Sequence, residues 1–93
     1  MKIVRPDNEE LEFTTILEDP EKASLFKHFK GKTIYKIITI AKDSETLEEY
    51  VIYQKQADDM PCFSRKKDEF FGEIDHNKYP ELQVKYRCEL IKK

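Results

Sequence analysis

Two histidines and two cysteines are the residues of this chain with the most distinctive chemistry, and their spacing argues against a metal site or a catalytic pair. Structural zinc sites place their ligands in close pairs such as Cys-x₂₋₄-Cys. Here His28, Cys62, His76 and Cys88 are each isolated. Nothing in the sequence places a cysteine beside a histidine, as a nucleophilic dyad requires. We therefore predict no catalytic residue, no metal and no cofactor.

The adjacent carboxylates in the sequence do not indicate an enzyme either. Glu48-Glu49 and Asp58-Asp59 are adjacent in the chain. On a strand, adjacent side chains point to opposite faces, whereas acid–base catalysis needs two groups that converge on one substrate. The two glycines, Gly31 and Gly72, are too far apart to form a phosphate-binding loop. The sequence therefore favours a non-enzymatic binding domain.

Cations and aromatic residues alternate in one short run, Phe26-Lys27-His28-Phe29-Lys30-Gly31-Lys32, and Arg65-Lys66-Lys67 could extend the same face. Cations contact phosphates, and aromatic rings stack on unpaired bases. This pattern predicts nucleic-acid binding through a basic-aromatic face. The competing interpretation places Phe26 and Phe29 in the core, with lysine stems lying over them. A sequence pI of about 5.7 favours that competing interpretation.

A second binding hypothesis uses the strand aromatics. Tyr35, Tyr50, Tyr53 and Phe63 could line a groove for an extended protein segment. Aromatic residues on strands are also common core residues. Both assignments remain open at this level.

The elements that would position these residues are mostly strands. We predict strands at 33–41, 49–55 and 83–90, with a turn at 43–46 between the first two. A short third strand at 62–64 and a helical turn over 66–71, ended by Gly72, should follow.

The N-terminal third carries weaker patterns. Asp19-Pro20 is typical of a helix start, which predicts a short helix to Ser24 or Leu25. Residues 1–18 form either a helix or an extra strand, and the alternation of Leu11, Phe13 and Thr15 favours the strand.

Length and composition indicate the number of domains and the class of protein. The chain has 93 residues and a net charge of −2, which fits a single domain over 1–93. No apolar run approaches the roughly 18–20 residues that cross a bilayer, and the N-terminus lacks the apolar core of a secretory signal. Two cysteines are too few for a disulfide scaffold. We predict a cytoplasmic protein with reduced thiols and no membrane partner.

The order of several motifs resembles the DUF1653 family, small bacterial domains of unknown function. The motifs are Phe26-Lys27-His28-Phe29-Lys30-Gly31, Tyr35, Ser44-Glu45-Thr46, Val51-Ile52-Tyr53, Arg65 and Phe70. The resemblance covers about 26–71 and implies an SH3-like small β-barrel with no known activity. Residues 1–24 have no counterpart in the pattern, and Phe63-Ser64-Arg65-Lys66 stands where the family has Trp-Val-Arg-Pro.

Two polar residues stand out within this pattern. Glu45 could pair with His28, Lys30 or Arg65, or it could close its turn through local hydrogen bonds. Arg65 could bind a carboxylate or phosphate with both guanidinium nitrogens, or it could hold Glu45 in place. The candidate ligand-binding residues are therefore Phe26, Lys27, His28, Lys30, Tyr35, Glu45, Tyr53, Arg65, Lys66 and Lys67.

Overall fold

Two antiparallel sheets and one helical turn make up the described part of this mainly β protein. The computed structural model describes residues 2–5, 8–31, 33–57 and 59–91; Lys32 of the basic-aromatic run and Asp58 of the acidic pair lie outside the described residues. The elements are β1 (Lys2–Val4), β2 (Glu10–Glu12), β3 (Leu25–His28), β4 (Ile34–Lys42), β5 (Glu49–Lys55), β6 (Cys62–Lys66), α1 (Lys67–Phe70) and β7 (Cys88–Ile91). The predicted mainly β class is confirmed.

The larger sheet has the strand order β6-β5-β4-β3-β7, and every neighbouring pair in it is antiparallel. The β4–β5 hairpin that the sequence predicts forms its centre, with a β-bulge between Ile37 and Thr39. Within the described ranges, β6 and β7 occupy the two ends of this order. Closure into an SH3-like barrel therefore stays a prediction.

The turn between β4 and β5 is closed by Asp43. Its Oδ1 accepts hydrogen bonds from the backbone N–H groups of Glu45 (2.9 Å) and Thr46 (3.0 Å). This is the Asx arrangement that makes aspartate a turn residue. These bonds favour the ionised carboxylate and lower the pKa of Asp43 from its usual value.

The helix predicted from Asp19 is wrong, because turns occupy this segment and β3 begins at Leu25. The Asp19 carboxylate accepts from Glu21 N (3.1 Å), which is a local turn bond. Ser24 N then donates to Thr14 O (2.7 Å), while Ser24 Oγ accepts from Thr14 N (2.9 Å). These bonds hold the chain extended as it enters β3, a strand that the sequence patterns did not reveal.

The predicted strand 83–90 is only partly right, because β7 begins at Cys88. Before it, Tyr86 bridges Glu73, and Arg87 N donates to Gly72 O (3.2 Å). Alternation of apolar residues specifies an extended conformation but not a partner strand. The third strand and the helical turn are confirmed: β6 contains 62–64, and α1 lies within 66–71.

Gly72 follows α1 because no side chain fits there. A Cβ atom at this position would lie 2.5 Å from the backbone oxygen of Asp68. Real Cβ atoms do not approach an oxygen so closely, so a larger residue would force the backbone to shift.

The core joins the N-terminal hairpin to the larger sheet. Its buried residues are Ile3, Leu11, Phe13, Phe26, Ile37, Val51, Phe70, Phe71 and Cys88. Arg5, which follows β1, is buried as well; its Nη2 donates to Cys88 O (3.2 Å) and its guanidinium carbon lies 3.9 Å from the centre of the Tyr86 ring. The β1–β2 hairpin is thus bound to β7 by packing and by a buried cation.

No helix in the described part of the chain has the length and apolar character to cross a membrane.

A candidate anion-binding pocket

A cavity of about 310 Å³ lies where the end of β3 meets β6, the segment before β7 and the loop at 75–79. We call it the cationic pocket. It is lined by His28, Phe29, Lys30, Arg65, Asp75, Lys78, Tyr79 and Arg87. These residues come from four separate stretches of the chain, so only the fold brings them together.

Backbone hydrogen bonds hold the walls of the cationic pocket. Phe29 N donates to Arg87 O (2.9 Å), which joins the residue after β3 to the residue before β7. In the loop, Asp75 O accepts from Lys78 N (3.1 Å) and Tyr79 N (2.9 Å), and Asp75 Oδ1 accepts from Asn77 N (2.9 Å). The loop is therefore a hydrogen-bonded turn that holds the backbone of Lys78 and Tyr79 at the pocket.

The charge of the lining is strongly positive. Among the described residues, Lys30, Arg65, Lys78 and Arg87 face one carboxylate, that of Asp75. This is a formal surplus of three positive charges in a chain whose net charge is −2. Like charges held together repel one another, so such a cluster is stabilised when an anion enters it.

His28 adds a neutral hydrogen-bond donor to this cluster. Its Nδ1 accepts from Lys30 N (3.2 Å), so in the neutral ring the proton is on Nε2. Nε2 is buried and has no hydrogen-bond partner in the described part of the chain. Partial burial, followed by the charges of Arg65, Lys30 and Arg87, lowers the pKa of His28 from 6.5. Near neutral pH the ring therefore offers an unused Nε2–H.

Aromatic rings flank the cations. The rings of Phe29 and Tyr79 meet edge to face, with centroids 5.3 Å apart at 70°. The Nζ of Lys30 lies 5.2 Å from the Tyr79 centroid and 5.8 Å from that of Phe29. A hydrogen bond from Lys30 is the main cause that lowers the pKa of Tyr79 from its usual value of 10.0.

The lowered pKa of His28 has a consequence for stability. In the folded state the ring resists protonation, whereas the unfolded chain takes up the proton near pH 6.5. The contribution of this group to stability is therefore present above 6.5 and is lost as the pH falls from 6.5 through the lower pKa of the folded state. We expect the urea midpoint to fall less between pH 7 and pH 5 in His28→Gln than in the parent chain, measured by circular dichroism. A folded-state His28 midpoint at or above 6.5 in an NMR titration would contradict this prediction.

Several predicted site residues belong to the core instead. Phe26 is 1% exposed and cannot stack on a base. Its ring centroid lies 5.4 Å from that of Tyr35, 5.6 Å from Tyr53 and 4.4 Å from Phe70. Tyr35 and Tyr53 are partly buried and pack against the same cluster. The core interpretation is correct for Phe26 but not for Phe29, which lines the cationic pocket. Of the proposed groove residues only Phe63 (43% exposed) is largely exposed.

The predicted basic face is divided by the fold. His28, Lys30 and Arg65 line the cationic pocket, whereas Lys66 and Lys67 pair with Glu48 (3.5 Å) and Glu49 (3.4 Å). Arg65 lies opposite Val51 and Lys66 opposite Tyr50, so the alternation of β6 sends these neighbours to opposite faces. Lys27 lines a smaller cavity of about 130 Å³, together with Glu89.

Glu45 occupies the exposed β4–β5 turn, where its backbone N–H donates to Asp43. Asp43, not Glu45, supplies the carboxylate that closes this turn. Over the described ranges, no ion pair links Glu45 to His28, Lys30 or Arg65. The suggested pairing of Glu45 is therefore wrong.

Half of the residues that line the cationic pocket were not predicted from the sequence. Asp75, Lys78 and Tyr79 lie in a segment that the sequence identifies only as a loop, and Arg87 lies on the polar face of the predicted last strand. No local pattern distinguishes them from ordinary surface residues. The alternation around the buried Tyr86 and Cys88 does indicate that Arg87 points away from the core.

The cysteines differ in their surroundings. Cys62 is exposed on β6, while Cys88 lies opposite His28 in the β3–β7 pair and is 4% exposed within the core cluster. Burial raises the pKa of the Cys88 thiol to about 12, against the opposing effects of Arg65, Arg87 and Arg5. Cys88 is thus a neutral core residue. No group of three or more His, Cys, Asp or Glu able to hold a metal ion occurs in the part of the chain that the structure describes.

Comparison with known proteins adds a family but no activity. A family model described as "Protein of unknown function (DUF1653)" matches residues 24–88, which is more than two thirds of the chain. The match continues beyond the 26–71 expected from the motifs and includes every residue that lines the cationic pocket. Neither the search of curated proteins nor that of solved structures finds a match.

Proposed function

The chain belongs to the DUF1653 family, whose function is unknown, and we propose that it is a non-enzymatic module that binds nucleic acid through the cationic pocket. In this proposal the pocket holds phosphate, and the flanking aromatic rings contact an unpaired base. The lysines of β6 and α1 contribute little to affinity, because they are already paired with carboxylates.

One observation carries the proposal: four cations from separate parts of the chain converge on one cavity in a protein of net negative charge. Arg65 and Arg87 offer planar forks that fit two phosphate oxygens at once, and Lys30 and Lys78 act as mobile point charges. Arginine and lysine clusters of this kind supply most of the affinity of sequence-independent nucleic-acid binding.

The aromatic residues favour single strands over duplexes. Phe29 and Tyr79 are only partly buried, and both rings lie within about 6 Å of the Lys30 Nζ. Bases stack on such rings only when they are unpaired, because in a duplex their faces are already covered. The Asp75 carboxylate, which opposes the cations of the pocket, is held in its turn by the Asn77 N–H.

A protein segment is the competing ligand, and the structure supports it less. Two of the four aromatic residues suggested for a peptide groove, Tyr35 and Tyr53, pack against the core cluster. An acidic peptide would still find cations in the pocket, so the first experiment must separate it from nucleic acid.

An NMR titration of the labelled chain tests the proposal. The probe is a single-stranded oligothymidylate of about 12 nucleotides at about 50 and about 200 mM salt, with a duplex of equal length for comparison. We expect shifts confined to 28–30, 65, 75–79 and 87, larger with the single strand and much weaker at the higher salt. An absence of shifts at low salt, or an equal response to poly-glutamate, would overturn nucleic acid as the ligand.

A further inference from the structure

The cationic pocket carries more positive charge than an internal phosphodiester can neutralise. A diester linkage carries one negative charge, whereas the lining has a formal surplus of three positive charges. A phosphate monoester carries about −1.5 to −2 at pH 7, because its second pKa is close to 6. The terminal phosphate of a nucleotide therefore matches this lining better than a phosphate within a strand.

The hydrogen-bond donors indicate the same ligand. Besides the four cations, the lining of the pocket includes His28, whose neutral Nε2–H is buried without a partner among the described residues. A buried donor without a partner is unfavourable until an acceptor arrives. A monoester exposes three terminal oxygens to these donors, whereas a diester exposes two.

The size of the cavity limits the rest of the ligand. About 310 Å³ is at the small end of the range of roughly 300–1,000 Å³ for small-ligand sites. It has room for one nucleotide unit but not for a run of nucleotides. Phe29 and Tyr79 lie at the same wall as Lys30, so a base joined to a bound phosphate has a ring to stack on.

We propose that the cationic pocket selects a nucleotide phosphomonoester, and that it discriminates against internal phosphodiesters. This inference rests on the proposed function in taking the cationic pocket as the binding site, but it makes a separate and narrower claim about the ligand. The ligand has two sources with the same chemistry, a free mononucleotide or the phosphorylated end of a strand. His28 and the four cations recognise the phosphate, and the aromatic pair recognises the base.

The test compares matched ligands on the full chain by isothermal titration calorimetry, with NMR shifts to locate the site. The strand probes are three forms of one short oligonucleotide. The first has no terminal phosphate, the second has a 5′-phosphate and the third has a 3′-phosphate. The free probes are AMP, adenosine and inorganic phosphate. We expect a terminal phosphate at one end of the strand to tighten binding by at least about tenfold. This factor corresponds to the binding free energy of one or more additional charge-assisted hydrogen bonds. We also expect AMP to bind more tightly than either adenosine or inorganic phosphate.

Equal affinity for all three oligonucleotides would overturn the inference and leave nucleic-acid binding in place. AMP binding without any oligonucleotide binding would support the monoester pocket, assign it to free mononucleotides and overturn nucleic acid as the ligand. Equal affinity for AMP and inorganic phosphate would show that the base does not contribute to binding, and would overturn the part of the inference that concerns the aromatic pair. Failure of every probe would overturn both proposals.

A variant tests the role of His28 without removing a cation. His28→Phe keeps an aromatic ring but lacks the Nε2–H, so we expect the ratio of the affinities with and without the terminal phosphate to fall severalfold. The urea midpoint of the variant at pH 7 confirms that it is folded. An unchanged preference in the folded variant would show that His28 does not contact the ligand.

Discussion

Replacing Lys30 and Lys78 with glutamine should weaken the binding of single-stranded oligonucleotides by on the order of 100-fold. Both side chains line the cationic pocket and are exposed, so the substitutions remove charge without disturbing the core. Two charge-assisted hydrogen bonds at about 1.5 kcal/mol each correspond to about 3 kcal/mol, which is this factor. Fluorescence anisotropy at several salt concentrations measures the effect, and the slope of log K against log salt should become shallower by roughly 0.7 for each phosphate that a lysine no longer neutralises.

The matched control replaces Lys66 and Lys67 with glutamine. It removes the same number of charges from neighbouring residues that pair with Glu48 and Glu49 instead of lining the pocket. We expect this control to change affinity by less than about threefold, because these two lysines pair with carboxylates and their exposed charges are screened by salt. Similar reductions in affinity in both double variants would show that binding follows net charge and not the pocket.

Replacing Phe26 with alanine should lower the free energy of unfolding by about 3–5 kcal/mol. Phe26 is 1% exposed and contacts the rings of Tyr35, Tyr53 and Phe70. The substitution leaves a cavity at the centre of the aromatic cluster and removes three ring pairs at once. Because the chain has no tryptophan, urea unfolding followed by far-UV circular dichroism is the suitable measurement.

Phe63→Ala makes the same chemical deletion at the edge of the cluster. Phe63 is 43% exposed, and its ring centroid lies 5.7 Å from that of Tyr53. We expect a decrease in the free energy of unfolding below about 1.5 kcal/mol, since only part of the side chain leaves water on folding. If Phe63→Ala destabilised the protein as much as Phe26→Ala, the aromatic cluster would not be centred on Phe26.

The central hairpin could be predicted from the sequence of residues 33–55 alone. The β-branched and aromatic residues of β4 and β5 specify strands, and Asp43 specifies the turn between them. These preferences act over a few residues, so a local pattern is enough to reveal them. The same is true of α1, which ends at Phe70, two residues before the glycine that marks its end in the sequence.

The N-terminal segment shows the limit of local patterns. Asp19-Pro20 satisfies the rules for a helix start, yet Asp19 makes a turn, and the pairing of Ser24 with Thr14 leads the chain into β3. A helix of about five or six residues gains little on its own, so a strand that completes the sheet is favoured. The hydrophobic residues of β1 and β2 acquire their role in the same way, by covering the core.

The sequence by itself determined a mainly β chain, the hairpin at its centre, the turn at Asp43 and a concentration of cations and aromatics around 26–32 and 65–67. Tertiary structure alone decided which of these residues share a site. The strand alternation of β6 separates Arg65 from Lys66, and the pairing of β3 with β7 brings His28 and Lys30 to Arg87. Electrostatic attraction for a ligand depends on distance in space, and the residues that form the cationic pocket are separated by up to 59 positions in the chain, from His28 to Arg87.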